Sequence, residues 1–350
     1  MKSRFLTIGA AAILAACSGA NAAQGGDGYR VSVQLPEEDD EMMAFLVNYD
    51  TNAKIDSAMV EESKAVFTGR VDEPVAARVI VDGQRRGQFI LENAEIEFGG
   101  DKSASSPLND VLTDLYRRGR AIIEEARALP EDSSSVAKAQ ALEARYDALS
   151  DSVMRANIDN PVGYVLFCND AWSLSLAELK AELDKAPSLK KYQRVQKLLA
   201  SAEAKERTTP GHKFVDFTVT NDSVAQSLSD YVGKGKYVLV DFWASWCGPC
   251  IRETKVIKEI LNELGPKGLE VLGVAVWDEP QNTLRAIQQH KLPWPQILNT
   301  QSVATDLYGI PAIPCIILFG PDGTIISRDK QGDELKEAVR QALSGEAPKE

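Results

Sequence analysis

The run Tyr237–Cys250, YVLVDFWASWCGPC, constrains this chain more than any other stretch. From Tyr237 to Trp243 it is apolar on both alternating faces, as a strand covered on both sides by helices must be. Cys247 and Cys250 follow at its C-terminal end, the edge where open α/β sheets gather reactive groups. The segment after Cys247, CIRETKVIKEILNELG, reads as helical, so Cys247 falls at or near a helix N-terminus. Free backbone N–H groups and the helix dipole there favour a thiolate. Pro249 is tolerated in that first turn, because its missing N–H would have no helical partner. A two-residue gap on a helical turn brings the sulfurs within bonding reach, with Cys247 the more exposed and Cys250 the more enclosed.

Three uses of such a pair compete. A reversible disulfide needs an attacking and a resolving thiol, which this placement supplies. A structural zinc site needs four ligands, usually including a second closely spaced pair; here only the isolated Cys168 and Cys315 and the scattered His212 and His290 remain. A static staple would close so small a loop that it gains little. The expectation is therefore a redox pair, with no metal and no cofactor beyond the disulfide itself.

Two carboxylates stand close by. Asp241 interrupts the apolar strand, where burial is costly without a partner or a task and raises the pKa. That suits a proton acceptor for the resolving thiol, against the plainer reading of an Asp reaching solvent at the sheet edge. Glu253, three residues after Cys250, shares its helical face and is a candidate second proton carrier; the alternative is a solvated first-turn Glu.

Around this stretch the chain changes character several times. Residues 1–16 carry Lys2, Arg4 and a twelve-residue apolar segment over residues 5–16, the form of an export signal too short to span a bilayer as a mature helix. Leu14–Cys17 has the form of a lipobox that would leave Cys17 lipidated, while Ala20–Ala22 is a competing small-x-small cleavage site. Residues 17–28 read as a tether. Short strand-like segments over residues 29–100 predict a small antiparallel β domain, and residues 101–207 predict four or five amphipathic helices. Cys168, in the apolar YVLFC, reads as a buried small hydrophobe. From residue 208 to 350 strands alternate with helices, predicting an α/β layer on a mostly parallel sheet. The net charge of −12, without a basic cluster, argues against nucleic-acid binding.

VLVDFWASWCGPC, the alternating strand and helix order and YGIPAIPCIILFGPDG together resemble the thioredoxin superfamily over roughly residues 210–345. KFVDFTVT ahead of the sheet, the Cys250-to-Glu253 spacing and the export signal are similar to its extracytoplasmic TlpA/ResA-like branch. The resemblance implies Cys247 as nucleophile, Cys250 as resolving thiol, Asp241 as the buried acid and Glu253 as the acid of that branch. It implies Trp246 beside the active site, Pro314 as a cis-proline facing the disulfide, and Ile313 as a backbone partner for a bound substrate chain. The front half, with IDNPVGYVL, resembles the DUF4369-type region of Bacteroidetes lipoproteins. Two departures stand out: Lys255 where many relatives have a kinking proline, and Cys315 directly after Pro314. The second poses either a buried strand cysteine or a third thiol able to trap the pair.

The expected protein is an exported thiol–disulfide oxidoreductase, anchored through a lipid on Cys17 in the cell envelope or periplasm. It would reduce disulfides of exported proteins and draw electrons from a membrane thiol donor. The rival readings are a partner-binding assembly lipoprotein with an accessory redox domain, and a thiol peroxidase, which the absence of a Pro-x-x-x-Thr/Ser segment before Cys247 disfavours.

Overall fold

The computed structural model describes residues 28–100, 103–130 and 132–344. The signal segment, nearly all of the tether and Cys17 lie outside the described residues. The chain divides into two compact units. One contains residues up to Leu174 with Glu178–Gln196; the other contains Ser175–Ala177 and residues from Lys197 onward.

The first unit opens with strands β1 Tyr29–Gln34, β2 Met43–Asn48, β3 Lys54–Met59, β4 Lys64–Gly69, β5 Val75–Val81, β6 Gln84–Leu91 and β7 Glu95–Gly99. They form a sheet in the order β4-β1-β7 and another in the order β3-β2-β5-β6. All pairings are antiparallel except β1 with β7, which is parallel. Alternating residues such as Val31, Val33, Leu46, Val79 and Phe67 point into one shared core. β3 carries no sequence signal of comparable strength, because its burial is only partial along its length.

Five helices follow: α1 Pro107–Arg127, α2 Val136–Ala156, α3 Pro161–Ala171, α4 Leu176–Lys185 and α5 Gln193–Arg207. Four are amphipathic; α3 is not. Every residue from Pro161 to Cys168 is buried, so α3 is a core helix rather than a surface one. The helices up to Gln196 share the first unit with the β sheets, instead of forming a region of their own from residue 101. Asn109 of α1 shows why: its side-chain oxygen accepts the Ile90 N–H at 2.8 Å, and its amide donates to the Ile90 carbonyl at 2.7 Å.

Asp50 provides a second tie. Its carboxylate accepts the Tyr164 hydroxyl at 2.9 Å and the N–H groups of Gln193 and Arg194 at 3.0 and 2.8 Å, satisfying free donors at the start of α5. Asp50→Ala is expected to cost about 2 kcal/mol in urea unfolding, and Tyr164→Phe less, since it removes one bond of three. An unmoved Asp50→Ala transition would remove this carboxylate from the account of stability.

Apart from Ser175–Ala177, the second unit begins within α5, at Lys197, ahead of the expected boundary at residue 208. Gly309 explains the close approach: its backbone is left-handed at φ 57°, and a Cβ there would lie 2.1 Å from the Ser201 carbonyl oxygen of α5. The unit continues with β8 Thr218–Asn221, β9 Val224–Ser227, β10 Tyr237–Trp243, α6 Gly248–Leu264, β11 Leu269–Ala275, α7 Pro280–His290, β12 Gln296–Ile297, α8 Val303–Tyr308, β13 Cys315–Phe319, β14 Ile325–Arg328 and α9 Gly332–Ser344. Of the stretch KFVDFTVT, only its end lies in β8.

The main sheet runs β12-β11-β10-β13-β14. β10, β11 and β12 are parallel, whereas β13 and β14 are antiparallel to their neighbours. The sheet is thus mixed rather than mostly parallel: β13 runs opposite to β10, and the Pro321-Asp322-Gly323 turn folds β14 back beside β13 as a hairpin. One face packs Leu239 and Trp243 against Ile257 and Ile260 of α6 and Leu335 and Val339 of α9. The other packs Val240 and Phe242 against Tyr308 and Ile310.

Candidate active site

The cysteine pair sits where β10 ends and α6 begins. Cys247 is the N-cap of α6, and Sγ of Cys247 accepts the backbone N–H of Cys250 at 3.2 Å. This contact lets the helix N-terminus stabilise negative charge on that sulfur. The two sulfurs are bonded at 1.97 Å, with Cα atoms 5.3 Å apart. Cys247 keeps 4% of its surface exposed and Cys250 none, so Cys247 is the less enclosed of the two.

Facing the pair is the Ile313–Pro314 segment, whose peptide bond is cis. Sγ of Cys247 lies 3.9 Å from the Ile313 carbonyl oxygen. Trp246 is 61% exposed beside the disulfide, and its indole N–H donates to the Trp277 carbonyl at 3.0 Å. A large apolar surface is thereby held open next to the reactive sulfur, suited to a docking peptide rather than to the core.

Asp241 lies inside the sheet, 1% exposed, and its Oδ1 has no hydrogen-bond partner. Strand alternation puts it on the face of Leu239 and Trp243, which is also the face of Cys247 and Cys250. Burial, and then the charge of Glu253, push its carboxyl up to about 8. Glu253 is itself buried rather than solvated. One of its oxygens accepts the Gly332 N–H at 2.7 Å, which ties α6 to the start of α9. α6 runs unbroken past Lys255.

Cys315 is not brought to the pair. β13 turns its side chain to the opposite face of the sheet, among Phe242, Val240 and Tyr308, and its thiol donates to Asp329 at 3.2 Å. Burial and the Asp329 charge push this thiol well up. A third thiol trapping Cys247 or Cys250 is therefore not what the fold arranges, because the sheet itself stands between the sulfurs. Cys315→Ala is expected to leave disulfide exchange at the parent rate, and peptide mapping of the oxidised protein to find the Cys247–Cys250 link alone. A Cys315 link in that map would overturn the assignment. Cys168 is likewise buried and free, with its thiol pushed up to about 12 by burial. Among the described residues, no group of three or more His, Cys, Asp or Glu side chains comes together to hold a metal.

Sequence reasoning missed the residues behind the cysteine turn. Asp278, just after β11, accepts the Ser245 N–H at 2.7 Å, the Ser245 hydroxyl at 3.0 Å and the Thr283 hydroxyl at 2.8 Å. The only local hint is an Asp two residues before a helix-starting proline, an ordinary helix-entry pattern.

A dithiol/disulfide pair at a helix start, above a buried acid and opposite a cis-proline, on a mixed sheet covered on both faces, defines a thioredoxin fold equipped for thiol–disulfide exchange. Residues 210–328 match the AhpC/TSA family, and residues 29–117 match the DUF4369 domain of unknown function. The thiol-disulfide oxidoreductase ResA of Geobacillus thermodenitrificans is 30% identical over 121 residues, which cover 35% of this chain and 68% of that protein. ResA of Bacillus thuringiensis is 26% identical over 144 residues, covering 41% of this chain and 82% of that one. Among solved structures, the thioredoxin domain of a thiol-disulfide oxidoreductase from Bacteroides vulgatus is 32% identical, covering 39% of this chain and 98% of that one, with a TM-score of 0.35. The chain belongs to the ResA/TlpA-like thiol-disulfide oxidoreductases of the thioredoxin superfamily, and it is a protein-disulfide oxidoreductase.

Proposed function

We propose that the protein is an exported, lipid-anchored reductase of protein disulfides in the cell envelope, working through Cys247 and Cys250. The observation that carries the choice of Cys247 as attacking thiol is its sulfur on the Cys250 N–H at the start of α6, in the less enclosed residue of the pair. In the reduced protein the Cys247 thiolate attacks a substrate disulfide seated against Trp246, Ile313 and Pro314. A Cys247–substrate bond forms, the substrate S–S bond breaks, and the departing thiolate takes up a proton. Asp241 then removes the Cys250 proton, and Cys250 attacks Cys247 Sγ. That step releases the second substrate thiol and leaves the Cys247–Cys250 disulfide. Two electrons have passed to the substrate, and a membrane thiol donor returns them.

Export rests on Lys2, Arg4 and the apolar residues 5–16, and the lipid anchor on Cys17 after Leu14-Ala15-Ala16. Among the described residues, no helix is long and apolar enough to cross a membrane. Gly248-Pro249 between the cysteines resembles reducing thioredoxins. The reading is tested by the reduction potential of the couple, measured against a glutathione or dithiothreitol series. A potential near that of thioredoxin, about −270 mV, is expected; one near that of a strong oxidant, about −120 mV, would reverse the direction. Labelling with radioactive palmitate tests the anchor: incorporation is expected, and its absence, or its persistence in Cys17→Ala, removes it.

A further inference from the structure

Cys247 is reached through Ala244, Ser245 and Trp246, and in the dithiol state no covalent bond holds that approach. Within the turn, the Cys247 N–H donates to the Ala244 carbonyl and the Cys250 N–H reaches the Cys247 sulfur. The attachment to the rest of the domain comes from the loop after β11. Asp278 is 5% exposed, and its two oxygens take three donors: the N–H and hydroxyl of Ser245 from the cysteine side, and the hydroxyl of Thr283 from α7. The neighbouring Trp277 carbonyl takes the Trp246 indole.

This loop is anchored from behind. The Trp277 N–H donates to the Gln301 carbonyl at 3.3 Å, and the Gln301 amide donates to the Asp278 carbonyl at 3.0 Å. Trp277, Asn299 and Gln301 all hold left-handed backbones, at φ 53°, 58° and 45°. Non-glycine residues adopt that region at a cost, so the surrounding contacts specify this loop shape closely.

We infer that Asp278 is a positioning residue for the nucleophile: it clamps Ser245 so that the reduced Cys247 sulfur stays on the Cys250 N–H and Trp246 stays beside it. The inference rests on the reading of Cys247 as the attacking thiol. The carboxylate fits this task because two oxygens can hold one backbone donor and two hydroxyls at once. Charge and position predict opposite effects when it is removed. Loss of a nearby negative charge would ease thiolate formation, whereas loss of the clamp would let the sulfur leave the helix N-terminus and slow its reaction.

The test is the second-order rate at which iodoacetamide alkylates Cys247 in the fully reduced protein, located by peptide mass spectrometry, alongside kcat/KM for insulin disulfide reduction. Asp278→Ala is expected to slow both about tenfold. Asp278→Asn, which removes the charge but keeps an acceptor for the Ser245 N–H, is expected to recover most of the loss. Parent-like rates in Asp278→Ala, or equal losses in both variants, overturn the inference. If Asp278→Ala does not fold, Ser245→Ala removes one of the three bonds and no charge; it should slow alkylation two- to threefold, and a parent-like rate overturns the inference. Cys247→Ser separates the two readings. If it still reduces insulin, the assignment of the attacking thiol fails; if it is inactive while Asp278→Ala matches the parent, the clamp alone fails.

Discussion

Cys247→Ser is expected to abolish disulfide reduction: the rate of insulin reduction should fall to that of the small dithiol supplied as donor. A serine hydroxyl at the start of α6 cannot replace the thiolate, because the helix terminus and one N–H donor lower a thiol into the useful range but leave an alcohol protonated. Cys250→Ala has a different signature. The first attack still occurs, but no resolving sulfur follows, so the mixed disulfide on Cys247 accumulates and can be isolated with its partner attached. Cys250 is fully enclosed, which is why the order of attack should not reverse. Trapping through Cys250 in Cys247→Ser, at a yield matching that of Cys250→Ala, would show the two sulfurs to be interchangeable.

Asp241→Asn is expected to stabilise the protein and slow its turnover. In the folded chain the Asp241 carboxyl is raised from 3.8 to about 8, first by burial and then by Glu253. Between those values the folded protein keeps a proton that the unfolded chain has released. Stability therefore falls as pH rises through this window, by about 1.36 kcal/mol per pH unit, and the penalty is complete above the folded value. The total is on the order of 5 kcal/mol. Asn does not titrate, so the variant should gain most over the parent above pH 8 and nothing below pH 4. Urea unfolding from pH 4 to 9 checks this, and parallel pH profiles for the two proteins would sink it. Turnover should drop roughly 100-fold near pH 8, where the parent carboxyl has become ionised, the range expected for loss of a general base. The deficit should shrink at higher pH as Cys250 ionises unaided.

How much of this was legible beforehand depended on whether the signal was local. Strand β10 and helix α6 could be read directly, because their apolar periods and the proline lie within one short run. The anomaly of Asp241 could be seen for the same reason: a charge in an apolar strand is conspicuous without knowledge of its neighbours. α3 was harder, since a helix buried on all sides has no polar face to give it a period. β3 gives a weak signal because a partly exposed strand alternates weakly. The boundary at residue 208 was displaced because the latter part of α5 is claimed by contacts with Gly309, a hundred residues away.

By itself the sequence determined the chemistry of the pair: two thiols on the first turn of a helix, behind a strand too apolar to be anything but central, with a carboxylate set inside it. The tertiary structure decided which other groups take part. Cys315 follows Pro314 directly, yet its pairing with Phe242 turns the thiol to the far face of the sheet. Glu253 is buried because α9 meets α6 there. Asp278 clamps Ser245 across 33 positions. Faces of a sheet and partners across loops follow from strand register and helix packing, which arise only when distant segments meet, so no local pattern could carry them.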